Sequence, residues 1–197
     1  SLSVLALAQK RRNGRDGKSA LIAGVNEYTS LKNLHSAVYE AELIAEIFGA
    51  DPLRNSEATR QAVLENARGK NYLHLACHGS FNWEDALESA LYLANDEPLT
   101  LNHVLSDLDL ASTRLVTLSA CETGLTEFNQ LPDEFIGLPA GFLQAGAPGI
   151  VSSLWTVDDN STAFLMERFF AYLLEEHQSP AAALKNAQAR LRQFSRQ

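Results

Sequence analysis

Cysteine is scarce in this chain: 197 residues contain two, Cys77 and Cys121. Two thiols in a chain of this size make no disulfide framework, and they read as free thiols of a reducing compartment. Positive charge is scarce as well, with 16 Lys and Arg against 24 Asp and Glu, a formal charge of −8 and a pI near 5.1. That balance argues against a dedicated nucleic-acid surface. The one basic cluster, Lys10-Arg11-Arg12, sits beside Asn13, Gly14, Arg15, Asp16 and Gly17 and reads as a solvated linker. No apolar run approaches the length of a transmembrane helix. No internal repeat or low-complexity tract is present, and no glycine-rich phosphate loop follows the first predicted strand, which offers only Gly24. Ser1 to Ala8 is too short for a complete signal peptide. The expectation is an excised or processed piece of a longer cytoplasmic protein.

At 46% hydrophobic, the chain can bury one proper core. Strands are predicted at Ser19 to Val25, Pro52 to Arg54, Tyr72 to Ala76, Leu91 to Leu93, Arg114 to Leu118 and Gly149 to Leu154. Helices are predicted over His35 to Gly49, with Gly49 as the stop, and from a Thr59 cap through Ala67. Others are expected at Thr100 to Leu105, at Asp133 to Ala145 with Pro139 kinking or dividing it, from Asp158 or Asp159 to Leu174, and after Ser179-Pro180. Alternation of this kind predicts an α/β fold with a mainly parallel sheet covered on both faces.

Two strings carry the chemistry: Ala76-Cys77-His78-Gly79 and Ser119-Ala120-Cys121-Glu122-Thr123-Gly124. Each follows a predicted buried strand, at the sheet edge where ligands of open parallel sheets gather. A free thiol titrates near ~8.5, and imidazole is the side chain best able to exchange its proton at neutral pH. His78 and Cys121 therefore suit a base and a nucleophile brought together by the fold. Gly79 leaves room for a substrate carbonyl, and its N–H and that of Cys121 are natural oxyanion donors. Taken alone, either residue would more often be structural; their joint placement at two strand ends favours chemistry. Cys77 should point away from His78 into packing. His74 reads as a hydrogen-bonded core histidine with a supporting role left open, and His35, His103 and His177 read as structural. Cys77, His78 and Cys121 lack the paired spacing of a metal site, so no metal or other cofactor is expected.

The chain resembles the CHAT family of caspase-like domains, typically fused to tetratricopeptide repeats in bacteria. The matching stretches are Ser1 to Leu5, Ala20 to Gly24, His74 to Gly79, Leu115 to Gly124, Leu138 to Ala147 and Ile150 to Asp159. The resemblance implies a caspase-like three-layer sandwich with a mainly parallel central sheet flanked by helices. It divides the chain into a leading strand and basic linker, 1–17, and a CHAT domain, 18–197, short of the family's usual flanking segments. It implies a cysteine endopeptidase with Cys121 as nucleophile, His78 as general base and then acid, and a protein or peptide substrate. A repeat module in cis or a regulatory partner would gate it in bacterial defence or signalling, an activity the isolated piece need not show. No membrane or nucleic-acid contact is expected. Asp158, Asp159 and Trp155 follow a strand end on the same edge; they are candidates for the substrate pocket, although a helix cap is the commoner use of such aspartates. A non-catalytic interaction domain of the same fold, and a Cys–His amidase or thioesterase, stay open as alternatives.

Overall fold

The computed structural model describes residues 17–120, 137–153 and 159–194; of Asp159 and Phe194 only the backbone is described. Its centre is a five-stranded sheet of β1 (Ala20–Gly24), β2 (Leu53–Arg54), β3 (Tyr72–Ala76), β7 (Leu115–Ser119) and β8 (Ile150–Ser152), in the order β2-β1-β3-β7-β8. Every neighbouring pair in it is parallel. Three short strands, β4 (His78–Ser80), β5 (Ala90–Tyr92) and β6 (Pro98–Thr100), form a separate antiparallel sheet. The helices are α1 (Ala37–Phe48), α2 (Arg60–Ala67), α3 (Leu101–Ser106), α4 (Leu138–Gln144), α5 (Asp159–Leu174) and α6 (Pro180–Phe194).

Strand alternation sorts the core into two layers. Leu73 and Leu75 of β3 join Val63 of α2, Leu101 and Val104 of α3 and Phe142 of α4 on one face. Tyr72 of β3 joins Ile44 of α1, Met166, Phe169 and Phe170 of α5 and Ala183 of α6 on the other. The sandwich therefore has three layers, as the alternation of predicted strands and helices and the family resemblance both implied.

Local signals end the helices where expected. Gly49 stops α1 at φ 63° with its N–H directed to the carbonyls of Ala45 and Glu46. Thr59 caps α2 by accepting from Ala62 N–H at 3.1 Å, and Thr100 forms a capping box with His103 over α3. Pro139 does not kink a helix from within, and the described helix begins beside it, at Leu138. That proline lies in the first turn of α4, where its missing N–H has no intrahelical partner to lose. Residues 133–136 of the helix predicted from Asp133, Phe135 among them, lie outside the described residues.

Gly24 ends β1 beneath the start of α1. A Cβ there would fall on the carbonyl group of Ala37 and 2.8 Å from the Cα of Val38. These are backbone atoms and cannot step aside. Gly24→Ala is expected to destabilise the protein by about 1–3 kcal/mol, read as a lower midpoint in urea with an unchanged m-value.

Candidate active site

Strand register sets the site. Gly24, Ala76 and Ser119 share one rung across β1, β3 and β7. The ladder runs one step further, with Val25 N–H bonded to Ala76 O at 2.9 Å and Cys77 N–H to Ser119 O at 3.2 Å. His78 follows at the carboxyl edge of the sheet and opens β4, opposite Tyr92 of β5, with Gly79 opposite Leu91.

The His78 ring is oriented from the segment between β1 and α1. Its Nε2 lies 2.6 Å from the carbonyl oxygen of Lys32. A carbonyl only accepts, so Nε2 carries the hydrogen and the neutral ring presents Nδ1 with its lone pair free. That is the tautomer a general base needs. The Tyr28 hydroxyl accepts from His78 N–H at 3.0 Å and donates to Tyr92 O at 3.1 Å. Its ring packs on the imidazole at 4.7 Å, tilted by 54°.

The segment bearing Tyr28 and Lys32 is itself pinned. Asn26 N–H donates to Asn55 Oδ1 at 2.8 Å, while Asn26 Oδ1 accepts from Val38 N–H at 3.0 Å. The Asp96 carboxylate, on the turn between β5 and β6, accepts from Thr29 N–H at 3.0 Å and Ser30 N–H at 2.6 Å. Desolvation pushes the Asp96 carboxyl up, but the donors of Thr29 and Ser30 outweigh it and hold it below the ordinary carboxylate range. A carboxyl depressed on folding contributes stability above its unfolded pKa, and loses it as pH falls through the folded value. Asp96→Ala is expected to loosen the segment that carries the Lys32 carbonyl, read as hydrogen exchange about 10–100-fold faster at the Thr29 and Ser30 amides. The same pinning should weaken in the native protein under acid conditions. Hydrogen exchange at these amides across pH, taken beside a melting curve, checks both.

Cys77 is 2% exposed, packed among Leu75, Leu91 and Leu93 on the α2–α3 face. Burial first, and then the charge of Glu40, push its thiol up to about 12, so it is inert as a nucleophile. His74 is a buried, hydrogen-bonded histidine, 1% exposed, with Nδ1 at 2.8 Å from Thr117 Oγ1. His103 serves the capping of α3. Of the other predicted site residues, Cys121, Trp155 and Asp158 lie outside the described residues, as does the side chain of Asp159, whose backbone opens α5. Among the described residues no group of three or more His, Cys, Asp or Glu is arranged to hold a metal ion, and no helix is long and apolar enough to cross a membrane.

Tyr28, Lys32 and Asp96 are what sequence reading missed. Tyr28 is 50 positions from His78, and a carbonyl that orients an imidazole leaves no mark on residue type. The available signal was the stretch Asn26-Glu27-Tyr28, polar and aromatic directly after a buried strand at the ligand-binding edge.

The model of the CHAT domain family matches residues 1–197, the whole chain. No curated protein matches it.

Proposed function

Because the chain belongs to the CHAT domain family, whose fold is that of the caspase-like cysteine peptidases, we propose that it is a cysteine endopeptidase working through a Cys121–His78 dyad. One observation carries this reading: Ala76 and Ser119 are level on adjacent parallel strands, and His78 and Cys121 each follow two residues later in the chain. Neighbouring strands run about 4.8 Å apart, so the chain sets out toward His78 and toward Cys121 from adjacent points. The Lys32-bound tautomer of His78 supports the base role.

In the proposed reaction, His78 Nδ1 takes the Cys121 thiol proton and the thiolate adds to the scissile carbonyl. The N–H groups of Gly79 and Cys121 would receive the developing oxyanion. Collapse breaks the C–N bond, and the imidazolium returns its proton to the leaving amine. Water, deprotonated by His78, then attacks the thioester and releases the acid product with the free thiol. A carboxylate of Asp158 or Asp159, with Trp155 as a wall, would favour a basic residue before the cut. The setting we propose is bacterial and cytoplasmic, under control of a tetratricopeptide-repeat module in cis or of a regulatory partner, in defence or signalling.

Digestion of a proteome-derived peptide library with the protein and with Cys121→Ala tests this. New termini that appear with the first and vanish with the second are expected, and a basic residue before them would implicate Asp158 or Asp159. Identical digests, from this chain and from the protein with its repeat module, would leave the fold as an interaction domain.

A further inference from the structure

Beneath the strands that lead to His78 and Cys121 lies a buried acid–imidazole pair that the reaction above does not use. Glu40 of α1 is 2% exposed and His74 of β3 is 1% exposed. Their facing atoms, Glu40 Oε1 and His74 Nε2, are 3.2 Å apart. The contact is off the line of an ideal hydrogen bond, and neither atom has another hydrogen-bond partner. Two lone pairs held at that distance in a dry layer would repel, so a hydrogen lies between them, on the ring or on the carboxyl. On its far side His74 Nδ1 meets Thr117 Oγ1 of β7 at 2.8 Å. Thr117 Oγ1 also reaches Leu73 O at 3.4 Å. Phe170 of α5 closes the face edge-on, 5.8 Å from the His74 ring. The other carboxylate oxygen, Glu40 Oε2, accepts from Ser119 Oγ at 3.0 Å.

One carboxylate therefore ties together both strands that lead to the dyad. His74 stands four residues before His78, and Ser119 two residues before Cys121. The end of β7 is held from two further directions, since Ser119 O accepts from Cys77 N–H at 3.2 Å and Ala120 O accepts from Ser153 Oγ. A strand end carrying only packing residues has no need of a buried acid and a buried imidazole, which are costly to hold in a core.

We propose that Glu40, locked by His74, is a positioning residue for the nucleophile: through Ser119 it fixes the end of β7, the strand from which the chain runs on to Cys121. This rests on the dyad reading above and names the residues that set its geometry. The pair is faced by Ser119 and Thr117 from β7 and by Phe170 from α5, and the charge of Glu40 also acts on the Cys77 thiol, which lies on the opposite face of the sheet.

The test reads thiol chemistry rather than peptide cleavage. The second-order rate of Cys121 alkylation by iodoacetamide is measured against pH, with the adduct located by mass spectrometry. The proteins compared are the native chain, Ser119→Ala, Ser119→Thr and His78→Ala. Ser119→Ala removes only the hydroxyl and leaves the Glu40–His74 pair whole, and a melting curve checks that it folds. At neutral pH the rate is expected to fall about threefold or more in Ser119→Ala and about tenfold in His78→Ala, as the thiol returns toward an unassisted ~8.5. Ser119→Thr, which keeps the donor, should restore the native profile. A folded Ser119→Ala with the native profile, beside a shifted His78→Ala, overturns the positioning role alone. A His78→Ala profile equal to the native one overturns the dyad, and this inference with it.

Discussion

His78→Ala is expected to lower kcat/KM for peptide cleavage by about 10²–10⁴-fold, the range a positioned general base contributes. The ring is half-buried at the sheet edge, and its main polar contact is one carbonyl, that of Lys32. Its loss should therefore leave the fold and its melting temperature near native. The residual rate should rise with pH without levelling near neutrality, because the thiol must then ionise unaided. His78→Gln probes a different point. A Gln side chain, whose amide nitrogen matches the reach of the imidazole Nε2, can still donate to the Lys32 carbonyl, yet it cannot accept a proton, and it should be as inactive as the alanine variant. Steady-state rates across pH separate these outcomes.

Phe170→Ala carries the largest expected effect on stability. Phe170 is fully buried at the centre of the layer formed by α1, α5 and the sheet. It packs at 5.4 Å on Phe48, at 5.1 Å on Phe169 and at 5.8 Å on His74. The ring is surrounded by side chains from separate elements, so the cavity cannot close by a small shift of one of them. The expected cost is about 3–5 kcal/mol, which in a chain of this length lowers the melting temperature by on the order of 10 °C. Phe170→Leu, which fills most of the volume, should cost less than half as much. Calorimetry or thermal circular dichroism reads both.

The layers of the fold were legible because each rests on a short-range signal. Gly49, Thr59, Thr100 and Pro180 mark helix ends through capping and proline geometry that involve only near neighbours. Buried runs such as Tyr72 to Ala76 and Leu115 to Ser119 announce strands covered on both faces. The antiparallel sheet of β4, β5 and β6 was harder to read. Its strands have three residues each, too few to show a period, and β6 begins with Pro98, which argues against a strand unless it stands at an edge. Pro139 was read as a kink or a division because the start of its helix could not be placed from pattern alone.

One residue of the candidate site was legible for the same reason. His78 follows a buried run, and the structure places it at the sheet edge, while its expected partner Cys121 lies outside the described residues. The parts that give His78 its tautomer come from elsewhere in the chain: a main-chain carbonyl at Lys32, a hydroxyl at Tyr28 and a turn carboxylate at Asp96. The Glu40–His74–Ser119 bridge likewise joins α1, β3 and β7. Such contacts follow from tertiary packing, and no local pattern announces them.

The claim that His78 and Cys121 work as one catalytic unit is tested most directly by a panel of peptidyl acyloxymethyl ketones, with the adduct mapped by mass spectrometry. The electrophile is attacked only by a thiol held beside a bound peptide, and the chain offers two thiols to choose between. A single adduct is expected, on Cys121, lost in His78→Ala and absent from Cys77 at every pH where the protein stays folded. An adduct on Cys77, or one on Cys121 that forms equally fast without His78, would contradict it.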